Sequence, residues 1–189
     1  GFTYFIGYFF NAEIITLVNS LQTMFKFAVF RINRIFIDVL SFEFSNLYSK
    51  KKFSKILDIN NFQKKNVYIF LISFLIIGYF FGPYIFNYWT INKFVEFQSI
   101  IILVIIESIL SMLAYNELLL AMALNRLKNI TLYGLIINIL SFCFLLFFEV
   151  GRSNLDYIYY IIILKTLIIY LLNKNYNLNL INNLFIKKN

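Results

Sequence analysis

The 189 residues are 61% hydrophobic and 21% aromatic, only 14% are charged, and the formal net charge is +8. A water-soluble domain of this length could not hide so much apolar surface, so the class is membrane-integral. His is absent and Cys143 stands alone, which excludes a disulfide within the chain and the usual His/Cys zinc sets.

The sequence opens at Gly1 inside an apolar stretch, without an initiator Met, a basic n-region or a small-residue cleavage site. It reads as the C-terminal piece of a larger protein, with residues 1–10 a helix stub. Asn11 breaks that stub, and Glu13 suits the positive end of the next helix dipole.

Residues 12–48 form one long helix, about 55 Å at about 1.5 Å per residue, against a hydrocarbon core of about 30 Å. Its last turns are therefore expected to project into water. At 100° per residue, Asn19, Gln22, Lys26, Arg31, Asn33, Arg34 and Asp38 fall within about half of the wheel, and Leu17, Leu21, Phe25, Ile35, Phe36 and Val39 within the other. Phe27, Phe30, Ile37 and Phe44 also project from the polar side. A charge at bilayer depth costs several kcal/mol facing lipid and normally faces a bundle interior or a watery cavity. The polar stripe is accordingly expected to wall a cavity.

Residues 49–66 hold six lysines against Asp58, and Phe53, Ile56, Leu57 and Phe62 give this loop an apolar side suited to a short interfacial helix. Residues 67–86 are uncharged and long enough to span, with Gly82-Pro83 bending or ending the helix. Tyr84, Tyr88 and Trp89 follow as an interfacial aromatic belt. Further spans are expected at 96–125, 129–148 and 157–172, before an Asn-rich tail at 173–189. Basic-rich and basic-poor connections alternate, which places the Lys50 loop, the Arg126 turn and the C terminus in the cytoplasm. The expected architecture is all-α, with five complete spans and a stub.

The sequence lacks a Gly-rich phosphate loop, a Gly-x-Ser-x-Gly elbow and metal-ligand spacing, and its nine acids nominate no catalytic pair. No enzymatic activity is expected from it. Lys26 falls near mid-depth, where it either meets an anionic ligand or pairs with an acid such as Glu107. Glu107 itself either pairs with Lys26 or Lys165 or binds a coupling proton or sodium ion. Arg34 precedes Asp38 by one turn, so snorkelling and an i,i+4 pair are an alternative to ligand contact for Arg31 and Arg34. The lysines of 50–65 read as a solvated cytoplasmic loop.

With the elements in order, four stretches resemble the C-terminal half of a polysaccharide or lipid-linked oligosaccharide flippase of the multidrug/oligosaccharidyl-lipid/polysaccharide exporter superfamily. They are Gly7-Tyr8-Phe9-Phe10-Asn11-Ala12-Glu13, Ser45-Asn46-Leu47-Tyr48-Ser49-Lys50, Gly82-Pro83-Tyr84-Ile85-Phe86-Asn87-Tyr88-Trp89, and the turn from Leu119 to Lys128. The Pro common in that family before the second stretch is missing, and Phe42 or a neighbour stands there. The resemblance implies two six-helix lobes around a cationic cavity, of which this chain supplies most of the second. It implies alternating-access transport of a lipid-linked sugar pyrophosphate, with Lys26, Arg31, Arg34, Asn19 and Gln22 as cavity ligands. Glu107, Lys165 and Asp38 would then serve coupling or buried ion pairing.

The implied partners are the lipid-linked oligosaccharide, membrane lipid and an N-terminal lobe, not nucleic acid. No cofactor is implied beyond a coupling proton or sodium ion. Three other readings stay open: a drug exporter of the same superfamily, a membrane sugar polymerase or acyltransferase, and a structural membrane subunit. The positive stripe disfavours the organic cations that drug exporters carry. The outer loops offer a polymerase or acyltransferase only Lys93, Glu96, Glu149, Arg152 and Asp156.

Overall fold

Asn11 caps the first helix by accepting a 3.0 Å bond from the Ile14 amide to its side chain. From there the backbone stays helical for 38 positions, but in three pieces: α1 (Ala12–Leu21), a π-helical segment (Gln22–Phe27) and α2 (Ala28–Ser49). The remaining elements are α3 (Phe53–Trp89), α4 (Gln98–Ala123), α5 (Lys128–Phe147) and α6 (Leu155–Ile186). The computed structural model describes residues 10–91, 93, 97–147 and 155–186, and among these the regular structure is entirely helical. The rest of the stub, Glu96, Glu149, Arg152 and the last lysines, Lys187 and Lys188, lie outside the described residues.

Four helices are long and apolar enough to cross a membrane: Phe53–Trp89, Gln98–Ala123, Lys128–Leu146 and Leu155–Asn183. The expected span at 12–48 is not among them. The π segment divides it, and its longer piece, α2, carries Arg31, Arg34, Asp38 and Glu43.

Three expected boundaries are corrected. The basic stretch at 49–66 is not a separate interfacial helix, because α3 runs unbroken from Phe53 to Trp89. Its inward edge (Ile56, Asn60, Gln63, Val67, Leu71) keeps helical spacing through the lysines and carries the segment into the bundle. Gly82-Pro83 does not end that helix either, since Pro83 lies inside it and the chain turns only where Ile91 adopts φ 53°. The tail at 173–189 continues α6 as far as Ile186. Asn173 and Asn177, one turn apart, dock on α4: Asn173 Nδ2 donates to the Ala114 carbonyl (2.8 Å) and Asn177 Nδ2 to Glu117 Oε2 (2.7 Å). Leu180 continues that buried edge.

α4 is the centre of the bundle. It packs on α6, α3, α2 and the π segment, whereas α5 rests chiefly on α6. Half of the most apolar window of α4 is buried, against 11% of that of α5, so α5 turns most of its surface outward.

Gly78 and Gly82, both buried and four residues apart, bring α3 close to α4. A Cβ at Gly78 would lie 3.1 Å from Ile105 Cδ1, and one at Gly82 would lie 3.2 Å from it. Paired small residues at this spacing allow such approach between membrane helices. Gly78→Leu is expected to lower the unfolding midpoint in detergent through overpacking of about 1–3 kcal/mol. Gly134→Ala, whose methyl would meet nothing within 4 Å, should be neutral or stabilise by up to about 1 kcal/mol. The opposite ranking would show that the α3–α4 contact is loose.

Candidate functional site

A π turn inserts extra backbone into a helix, and such turns concentrate at functional positions. This one carries Lys26 in its last turn. Above it, Leu17, Val18 and Leu21 face the core; below it, Val29, Asn33, Ile37, Phe44 and Leu47 do. On an ideal wheel these two sets are centred about 100° apart, the arc of one residue. The π segment absorbs that offset, so both sets pack on the same bundle. This corrects the single-wheel reading. Asn33, expected on the cavity side, is buried, and Ile37 and Phe44 belong to the core.

Lys26 Nζ lies 2.8 Å from Glu107 Oε1. The same oxygen accepts a 2.6 Å bond from Ser111 Oγ. Glu107 is the tenth residue of α4, about 14 Å from its start and near the middle of an apolar layer of about 30 Å. Tyr159, buried on α6, stands beside Glu107 and Gln22. Lys165 is close enough to feel the charges of Lys26 and Glu107, but forms no ion pair among the described residues. Two cations thus share one acid, leaving an excess positive charge in an apolar environment, where attraction to an anion is strong.

The other expected cavity residues lie outside this cluster. Arg31 is exposed, and Arg34 and Asp38, with side chains 80% and 70% exposed, form an open i,i+4 pair at 3.7 Å. Asp38 is therefore not part of a buried pair. Asn19 is exposed on α1, and its carbonyl accepts the Thr23 hydroxyl at 2.8 Å. Arg31 and Arg34 fall on the outer side because the inward edge of α2 runs through Val29, Asn33 and Ile37. That outer side also presents Ile35, Phe36, Val39 and Phe42.

A second polar layer lies about 15 Å further along α4, ten residues on at about 1.5 Å each. Lys64 Nζ bonds Glu117 Oε2 at 2.5 Å, and Asn177 Nδ2 bonds the same oxygen. Gln63 Nε2 donates to Asn116 Oδ1 at 2.7 Å, and Asn33 Nδ2 approaches Met112 Sδ (3.2 Å) and Asn116 Oδ1 (3.5 Å). Lys64, expected in a solvated loop, is thereby corrected to an ion-pair partner inside the bundle. Four buried amide atoms here, Asn60 Nδ2 and Oδ1, Gln63 Oε1 and Asn177 Oδ1, have no hydrogen-bond partner among the described residues.

Sequence reasoning missed this layer, although signals for it were present. Glu117, like Glu107, interrupts an apolar run, and Asn173 and Asn177 have the i,i+4 spacing of one helix face. No family model, curated protein or solved structure matches this chain.

Proposed function

We propose that the chain is the second lobe of a membrane transporter that carries a lipid-linked oligosaccharide or polysaccharide precursor across the cell membrane. In this reading the helical path from Ala12 to Ser49 is a fifth crossing, and a first lobe covers its outer side. The C terminus lies in the cytoplasm.

The observation that carries the proposal is the outer side of α2, where Arg31 and Arg34, both exposed, stand among the exposed apolar side chains of Ile35, Phe36, Val39 and Phe42. Lipid solvates such charges poorly, so the side calls for water, a polar neighbour or an anionic ligand. Guanidinium groups suit pyrophosphate oxygens because their planar forks donate paired, charge-assisted bonds. Lys26 and Lys165, sharing Glu107, add positive potential from within. A drug exporter for organic cations would gain nothing from this charge pattern, and a structural subunit would be expected to bury or pair Arg31.

The test is a lipid-linked oligosaccharide accumulation assay on the full-length parent gene. Deletion should cause the intermediate to accumulate on the cytoplasmic side. Arg31→Gln with Arg34→Gln should reproduce much of that accumulation at normal protein level, since neither side chain supports the core. Deletion without accumulation would end the proposal.

A further inference from the structure

Two basic segments distant in the sequence meet at one end of the bundle. The α2–α3 corner carries Lys50, Lys51, Lys52 and Lys55, all exposed, and the α4–α5 turn carries Arg126 and Lys128. Three bonds hold this end together. Ser45 Oγ donates to the Ala123 carbonyl (2.8 Å), Arg126 Nη2 to Tyr48 Oη (3.5 Å), and Tyr176 Oη to the Arg126 carbonyl (2.6 Å). Residues 49–57 and 124–131 contain six cations and no acid, and Asp58 follows the first segment directly on α3. The corner is fixed by geometry, since Lys51 and Asn125 both adopt left-handed backbone, φ 55° and 53°.

Beside this basic end, the start of α5 forms an open groove of ≈ 380 Å³ lined by Leu127, Lys128, Thr131, Leu132 and Leu135. It is a shallow depression on one face of that helix, open to the outside. Apart from Lys128, its polarity comes from Thr131, whose hydroxyl is already engaged in donating to the Leu127 carbonyl (2.9 Å). The slot therefore offers apolar walls below and a cation at its rim. It also lies on the helix that turns most of its surface outward.

We infer that this groove is a docking site for an anionic glycerophospholipid. The headgroup phosphate sits on Lys128 at the edge of the joined basic segments, and an acyl chain lies along Leu127, Leu132 and Leu135. Charge complementarity selects the headgroup, because an end where six cations outnumber the neighbouring Asp58 favours phosphatidylglycerol over a zwitterionic lipid of the same chains. The apolar slot selects a lipid over free phosphate. The site requires only that the helices sit in a bilayer, so it stands apart from the transport reading.

The experiment uses the whole chain in neutral detergent, with native mass spectrometry to read bound lipid and thermal unfolding to read stabilisation. Phosphatidylglycerol, phosphatidylcholine of matched chains and inorganic phosphate are added separately. Phosphatidylglycerol should be retained at least about tenfold better than phosphatidylcholine, and phosphate should give no comparable stabilisation. Lys128→Gln should reduce the preference about fivefold, the factor that one basic residue near an anionic surface contributes. Leu132→Asn with Leu135→Asn should weaken both lipids while sparing the fold, since both side chains are exposed. Equal retention of the two lipids, an unchanged preference in Lys128→Gln, or phosphate matching the phosphatidylglycerol effect would each overturn the site.

Discussion

Replacing Glu107 by alanine should be among the most damaging single changes in the chain. It leaves Lys26 and Lys165 close together in an apolar environment with no acid to balance either. Orphaning a buried ion-pair partner costs about 3–5 kcal/mol, and here the lower half of that range applies because the Lys26 side chain is 35% exposed. Lys26→Ala should cost less, since Lys165 remains to balance Glu107. The ranking is measured by folded protein recovered in detergent and by its unfolding midpoint. Pairing Lys26→Met with Glu107→Gln should restore part of the protein relative to Glu107→Ala, because only Lys165 is then left without an acid. Transport by the full-length parent should nevertheless stay lost in that pair, and Lys26→Arg should retain part of it. Equal stability of Glu107→Ala and the native chain would show that the contact at 2.8 Å contributes nothing.

The second large effect concerns Lys64. Lys64→Met removes the cation from a carboxylate whose side chain is only 4% exposed, leaving Asn177 as its remaining donor. No other cation pairs with Glu117 among the described residues, so the loss should reach about 3–5 kcal/mol. Lys50→Met, at the start of the same basic run but exposed, should change stability by no more than about 0.5 kcal/mol. Comparable midpoints for the two variants would return Lys64 to the solvated class. Adding Glu117→Gln to Lys64→Met should recover stability, because the amide oxygen still accepts from Asn177.

The contrast between Lys64 and Lys50 shows where sequence reasoning reaches its limit. Composition and long uncharged runs are properties of single segments, so the helical class and the four apolar helices are legible without coordinates. An acid inside an apolar run is legible too, since it has to be balanced. Which cation balances it is a matter of packing: Lys26 and Lys165 are equally available to Glu107 in the sequence, and the π segment brings Lys26 within bonding distance. Lys64 looks solvated because it lies among lysines, and only the burial of Asn60 and Gln63 on the same helix edge reveals otherwise. Asn-rich composition likewise reads as a tail, whereas two of those asparagines fasten α6 to α4. The α3–α4 approach was legible in principle from Gly78 and Gly82, since two glycines four residues apart need no coordinates to be noticed.

The π segment also has a consequence for how the first helix can be altered. Helical sequence above and below it is written in two rotational phases, and the six residues from Gln22 to Phe27 are the seam that joins them. Winding the seam as regular helix at its present length would turn everything from Ala28 onward by about 100° relative to α1. Asn33 would then swing away from Asn116, and one of the outward arginines would rotate toward the core. The charge pattern of α2 is thus set by a length as much as by its residues: a single deletion here would remove the π turn and keep the lower half in phase, whereas a single insertion would turn it.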